Sequence, residues 1–102
     1  MGNKKGKHKN LVDTIYQELK QKPYVDELFK NLCYKKGECD ILYKNKEGNW
    51  RYVEVKSNHT YHGWNKAKEQ IERFCDFFAE HYTERRCRGV YYSPQEGYKR
   101  LK

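Results

Sequence analysis

Long apolar runs are absent from this chain: no unbroken apolar stretch extends beyond three or four residues, against the ~20 that a membrane-spanning helix needs. Nor does an apolar segment follow the basic N-terminus as a secretory signal core would. A soluble, cytoplasmic protein with no membrane partner is therefore expected. Proline is scarce as well, and each of the two prolines reads as a stop, Pro23 after a helical pattern and Pro94 after an extended one. The four cysteines, Cys33, Cys39, Cys75 and Cys87, include no pair with CxxC spacing. That argues for reduced thiols, mostly in the core, inside a reducing cell. A zinc or iron–sulfur site assembled from distant positions is the weaker alternative.

What the chain has in quantity is positive charge. Lys and Arg number 22 against 14 Asp and Glu, a net charge of +8 over 102 residues, and such an excess favours polyanionic partners through counterion release. Nucleic acid is the commonest polyanion in a cell. The length allows one hydrophobic core and about five or six secondary elements, so a minimal enzyme or a binding module fits and a tandem catalytic and regulatory pair does not.

Residues 1–10 hold four lysines and one histidine with no acid. They are expected to form a flexible basic arm, in which Lys4, Lys5, Lys7 and Lys9 meet phosphates or simply solubilise the tail. Residues 11–102 are expected to form a single domain. Leu11, Ile15, Tyr16 and Leu19 recur at helical spacing after Asn10, which predicts a first helix over about 10–21. Apolar alternation between 24 and 34 is imperfect, and a strand over 28–35 is preferred to more helix. ECDILYK (38–44) and NWRYVEVKS (49–57) flank the turn cluster Asn45-Lys46-Glu47-Gly48 and make a hairpin. After a Gly-containing loop over 59–63, Ala67, Ile71, Phe74, Cys75, Phe78 and Tyr82 give the strongest helical pattern, over about 65–83. RGVYYS (88–93) reads as a strand, and the terminal GYKRLK as an edge strand or a basic tail. No internal repeat is evident, and the whole is one mixed sheet flanked by helices.

Strand alternation carries the chemistry. Tyr52, Glu54 and Lys56 share one face of the second hairpin strand; in the first, Asp40 and Leu42 share a face opposite Cys39, Ile41 and Tyr43. With an odd turn centred on Glu47, positions summing to 94 oppose each other, and Asp40 meets Glu54 with Cβ atoms ~4.5–5.5 Å apart. Two carboxylates so placed need a shared proton or a cation between them. A hard divalent metal such as Mg²⁺ is typically held by one or two carboxylates, and Lys56 then contacts the scissile phosphate or helps deprotonate the attacking water. These are the parts of metal-assisted phosphodiester hydrolysis. Taken alone, Glu-x-Lys on a strand means only a surface ion pair worth ~0–1 kcal/mol.

The full pattern is GECD opening a strand, an intervening hairpin of 13 residues, EVK closing the second strand, and a helix carrying Gln70 within KAKEQIERF. It resembles the PD-(D/E)xK nuclease superfamily over about residues 10–94, and most of all the archaeal Holliday junction resolvases and their viral relatives. The resemblance implies an α/β, single-domain restriction-endonuclease-like fold with a mixed central sheet flanked by helices. It also implies an endonuclease that hydrolyses DNA with Mg²⁺ or Mn²⁺, in its sharpest form structure-selective, working as a homodimer of the 12.5 kDa chain. Residue by residue, it makes Asp40 and Glu54 metal ligands, adds the Val55 carbonyl, and makes Lys56 the catalytic lysine. Gln70 resembles the glutamine that some branches carry near lysine and phosphate, and Glu18 is the candidate for a first-helix glutamate, with Asp13 competing. Cys39 departs from the family's proline before the aspartate, and Glu38 is expected to face away from Asp40 and to be structural.

Weaker expectations surround this set. His59, Tyr61, His62 and Trp64 follow the lysine, where rings can stack on bases and histidines can touch phosphate. Arg85, Arg86 and Arg88, with Lys99, Arg100 and Lys102, can widen a phosphate-binding surface, while Phe74, Phe77 and Phe78 read as core or dimer contacts. The alternative is a catalytically inactive nucleic-acid-binding module of the same fold. No base-reading motif distinguishes one DNA structure from another.

Overall fold

The computed structural model describes residues 4–35, 37–81 and 87–101. The elements follow in the order α1 (Lys4–Lys20), β1 (Val25–Tyr34), β2 (Gly37–Asn45), β3 (Trp50–Val55), α2 (Tyr61–His81), β4 (Cys87–Ser93) and β5 (Gly97–Leu101). The five strands lie in sequence order in one sheet. All neighbours are antiparallel except β3 and β4, which are parallel, and α2 is the crossover that a parallel pair requires. The expected α/β class, a mixed sheet flanked by helices, is what forms.

Periodicity explains the layers. On α1, Val12, Ile15 and Leu19 form one apolar stripe that buries against Ile41, Val53 and Val55 of the sheet. On α2, Ile71, Phe74 and Phe78 pack with Leu42 and Tyr52 on the other face. Strict alternation along β3 sends Val53 and Val55 to α1 and Tyr52 to α2. Close approach of α2 depends on Gly89, where a Cβ would lie 2.0 Å from Ile71 Cγ2.

The hairpin register is the expected one: Ile41 pairs with Val53, Leu42 with Tyr52, Tyr43 with Arg51 and Lys44 with Trp50. The Asn45 side-chain oxygen accepts hydrogen bonds from Glu47 N–H and Asn49 N–H at 3.0 and 2.9 Å, and Gly48 takes the left-handed conformation, φ +87°, that closes the turn.

Four expectations are corrected. Residues 4–9 are not a flexible arm but the opening turns of α1. Lysine is a competent helix former, and His8 ties this end of the helix to β2 and β3. Helix α2 starts at Tyr61 rather than 65, because Thr60 caps it: Thr60 Oγ1 accepts from Gly63 N–H at 2.9 Å, and Thr60 O from Trp64 N–H at 2.8 Å. Strand β1 begins at Val25, soon after Pro23. Alternation also fails at Cys39, which packs with Leu42 and Tyr52 on the α2 side rather than with Ile41; opposite this stretch, Asn31 adopts φ +52° in β1, a local twist that Asn tolerates better than most residues. The terminal segment, left open between strand and tail, is edge strand β5. Cys33 is exposed, Cys39 is buried, and Cys75 and Cys87 are half-buried; all four thiols are free.

Candidate active site

The site grows out of the end of the hairpin. The β2–β3 ladder stops at Ile41–Val53, and beyond it the Asp40 carboxylate takes over: Oδ2 accepts the Val55 N–H at 2.9 Å. This bond holds Asp40 beside the C-terminal end of β3 and fixes the Val55 peptide. Glu54 comes from the α2-facing side of β3. Its Oε1 accepts the Tyr52 hydroxyl at 2.5 Å, and its Oε2 lies 3.4 Å from Lys56 Nζ. Asp40 is 7% and Glu54 3% exposed, so both acids are largely withdrawn from bulk solvent.

Electrostatics follow from that burial. Desolvation, and then the negative charge of Asp40, push the Glu54 pKa up to about 7, against the opposing pull of Tyr52 and Lys56. Burial and the charge of Glu54 drive the Tyr52 hydroxyl well above its ordinary range, which keeps it a donor. A carboxylate held this reluctantly ionised is relieved by a cation, and the oxygen donors available, two carboxylates and a peptide carbonyl, suit a hard divalent metal. Among the described residues, no three His, Cys, Asp or Glu side chains already stand together as an ion's ligands; a metal here would draw on the Val55 carbonyl and water alongside Asp40 and Glu54.

His8, Lys9, Asn31, Glu38, Asp40, Glu54, Lys56 and Gln70 line one cavity of about 490 Å³. Four of the five expected catalytic side chains are thus brought together. Gln70 adds a polar loose end, since its Oε1 is buried without a hydrogen-bond partner among the described residues. Glu38, expected to face away from Asp40, instead lines the cavity with it, as the two-residue period of a strand dictates for positions 38 and 40, and its carbonyl accepts from the Tyr52 hydroxyl at 3.3 Å.

Glu18 is the expected residue that the fold keeps away. It sits exposed ten residues beyond His8 on α1, ~15 Å along the helix axis, where its charge acts on Tyr98. Asp13 is paired with Lys30 at 2.8 Å. The helix position that does reach the site is His8, whose Nε2 lies 3.0 Å from Val55 O and 3.3 Å from Asp40 Oδ2. The hydrogen bond to Asp40 raises the imidazole pKa above its ordinary value. His8 was missed because a lone histidine among lysines carries no local signal. The clue was its spacing: 8, 12, 15 and 19 continue the buried stripe of α1 one turn towards the N-terminus.

The nucleic-acid candidates divide. Lys9 stands at the cavity and Lys7 is exposed. His59 and Trp64 pack around the buried Tyr91, with His59 Nδ1 2.9 Å from the Tyr91 hydroxyl and the Trp64 ring centroid 4.8 Å from that of Tyr91. Lys68 and Lys99 approach the Trp64 ring at 5.5 and 5.6 Å. Tyr61 is the open ring here, 82% exposed. Lys4 and Lys5 form part of α1 by backbone, their side chains lying outside the described residues, as do Arg85 and Arg86 entirely.

A mixed sheet between two helices, with paired acids and a lysine at the end of a β-hairpin, has the restriction-endonuclease-like fold. Residues 8–99 match the model of the endonuclease NucS C-terminal domain, and the chain belongs to that family. Among solved structures, it is similar to a repair endonuclease from Pyrococcus abyssi, with TM-score 0.60 and 20% identity over 92% of this chain and 39% of that one. It is also similar to an EndoMS–double-stranded DNA complex, with TM-score 0.63 and 21% identity over 82% of this chain and 34% of the other. The chain thus spans little more than a third of either. No curated protein matches it. Among the described residues, no helix is long and apolar enough to cross a membrane.

Proposed function

We propose that this domain is a metal-dependent endonuclease module that hydrolyses DNA phosphodiester bonds at the cavity between β2, β3 and the two helices. The observation that carries the reading is the buried Asp40–Glu54 pair with Lys56 on Glu54, in a chain that belongs to an endonuclease family and has a net charge of +8. Asp40, Glu54 and the Val55 carbonyl would hold Mg²⁺ or Mn²⁺, which when bound polarises a phosphoryl oxygen and acidifies a water.

The chain's own groups do the rest. Asp40 fixes the Val55 peptide through its N–H, so the carbonyl on the next bond is preorganised. Glu54 holds Lys56, which meets the negative charge that develops on the phosphate and orients the attacking water. Gln70 Oε1, lacking a partner among the described residues, accepts a hydrogen bond from that water. Lys7 and Lys9 at the N-terminal end of α1 contact the phosphate backbone on either side. Duplex DNA is the first substrate to try, because one similar structure is a complex with double-stranded DNA. Junction-selective cutting and a homodimer are the finer form of the proposal.

The test is cleavage of labelled duplex, single-stranded and four-way-junction DNA with Mg²⁺, Mn²⁺ or EDTA, comparing wild type with Asp40→Ala and Lys56→Ala. Metal-dependent cutting lost in both variants is expected. Salt-dependent binding without cutting under any condition would leave the inactive DNA-binding module instead. Gel filtration with only a ~12.5 kDa species at working concentration would remove the homodimer.

A further inference from the structure

Helix α1 places a nitrogen donor among the oxygens of the candidate metal site. His8 Nε2 is 3.0 Å from the Val55 carbonyl oxygen and 3.3 Å from Asp40 Oδ2. Two ligands bound side by side on an octahedral cation, each ~2.1 Å from it, are ~3 Å apart, so these separations are those of neighbouring ligands on one ion. The ring is anchored on a helix whose next turns, Val12, Ile15 and Leu19, are buried in the core, so it is presented rigidly. Its Nε2 becomes a donor to metal by shifting the ring proton to Nδ1.

We infer that His8 is a metal ligand of this site, giving it a mixed imidazole and carboxylate set that favours borderline transition metals over Mg²⁺. The inference rests on the metal-dependent reading above and goes beyond it, since that reading needs only oxygen ligands. Carboxylates and carbonyls alone suit Mg²⁺, whereas an imidazole strengthens Co²⁺, Ni²⁺ or Zn²⁺ selectively.

The test is calorimetric titration of the intact chain with Co²⁺ and with Mg²⁺, for wild type, His8→Ala, His8→Glu and Asp40→Asn, after thermal melts show that each variant folds. His8→Ala is expected to weaken Co²⁺ binding about tenfold or more and to change Mg²⁺ binding less than about threefold. His8→Glu, which restores an oxygen ligand, is expected to shift preference back towards Mg²⁺. A paramagnetically shifted imidazole N–H resonance is expected in the Co²⁺-loaded wild type and should vanish in His8→Ala. Unchanged Co²⁺ binding in His8→Ala overturns the inference while leaving the oxygen site standing. Tighter binding of both metals overturns it too, and marks His8 as a cation that metal must displace. No binding by wild type, or binding undiminished in Asp40→Asn, overturns the metal-dependent reading itself.

Discussion

Replacing Glu54 by Gln is expected to stabilise the metal-free protein while abolishing the proposed metal-dependent cleavage. The Glu54 carboxyl is pushed up from 4.5 to about 7 in the folded protein, by burial and by Asp40. The folded state therefore holds this proton to higher pH than the unfolded chain does. Stability from this group is greatest below pH 4.5, falls between 4.5 and about 7, and stays low above that. The gap corresponds to about 3 kcal/mol at pH 8. It already includes the help that Tyr52 and Lys56 give the charged form, so a neutral isostere that can still accept the Tyr52 hydroxyl should recover most of it. For a domain of this size, 3 kcal/mol is roughly 10–20 °C in melting temperature. Thermal melts in EDTA at pH 8 and pH 5 would show Glu54→Gln well above wild type at the first and close to it at the second. Saturating Mn²⁺ should raise the wild-type melt at pH 8 and leave the variant where it is. A variant that melts no higher than wild type at pH 8, or a gap that does not narrow at pH 5, would refute the argument.

Three further outcomes follow from other contacts. The His8 imidazole should titrate above 6.5 by NMR, since its hydrogen bond to Asp40 raises it, and its contribution to stability should be complete below pH 6.5 and fade as pH rises through that higher value; a midpoint unmoved by Asp40→Asn would remove this explanation. Gly89→Ala should destabilise by about 3 kcal/mol in a urea titration, because its Cβ would lie 2.0 Å from Ile71 Cγ2 and α2 must retreat; a loss under about 1 kcal/mol would mean the helix–sheet contact is slack. Lys9→Ala should lower the slope of log affinity for duplex DNA against log salt by about 0.9, the share of one phosphate contact, and an unchanged slope would take Lys9 out of the interface.

The hairpin was legible because its signals are local: alternating Ile, Val, Tyr and Trp on both sides of the Asn45-Lys46-Glu47-Gly48 turn cluster, whose loop length fixes which residues oppose. Register in turn brings Asp40 to Glu54, so the centre of the site could be read from residues 38–57 alone. Helix α2 was equally plain in its buried stripe, but its start depended on one hydroxyl, that of Thr60. The first turns of α1 were hidden for a different reason. No apolar periodicity precedes Leu11, and what anchors residues 4–9 is a pair of contacts from His8 to positions 32 and 47 residues away. Glu18 was favoured because the resemblance implies a first-helix glutamate, yet helix geometry puts it nearly three turns from His8, the helix position that reaches the cavity. Cys39 shows the same limit within a strand: opposite the left-handed Asn31 of β1, it packs on the α2 side with Leu42 and Tyr52 against its own alternation.

The proposed chemistry requires the end of this hairpin to hold a divalent metal against a DNA phosphate. Crystals of the chain soaked in Mn²⁺, with data collected at an energy where manganese scatters anomalously, test it most directly. A single strong peak is expected within bonding distance of Asp40, Glu54 and the Val55 carbonyl oxygen, lost in Asp40→Asn. A peak elsewhere, or none at a concentration that saturates any cutting activity, would contradict it.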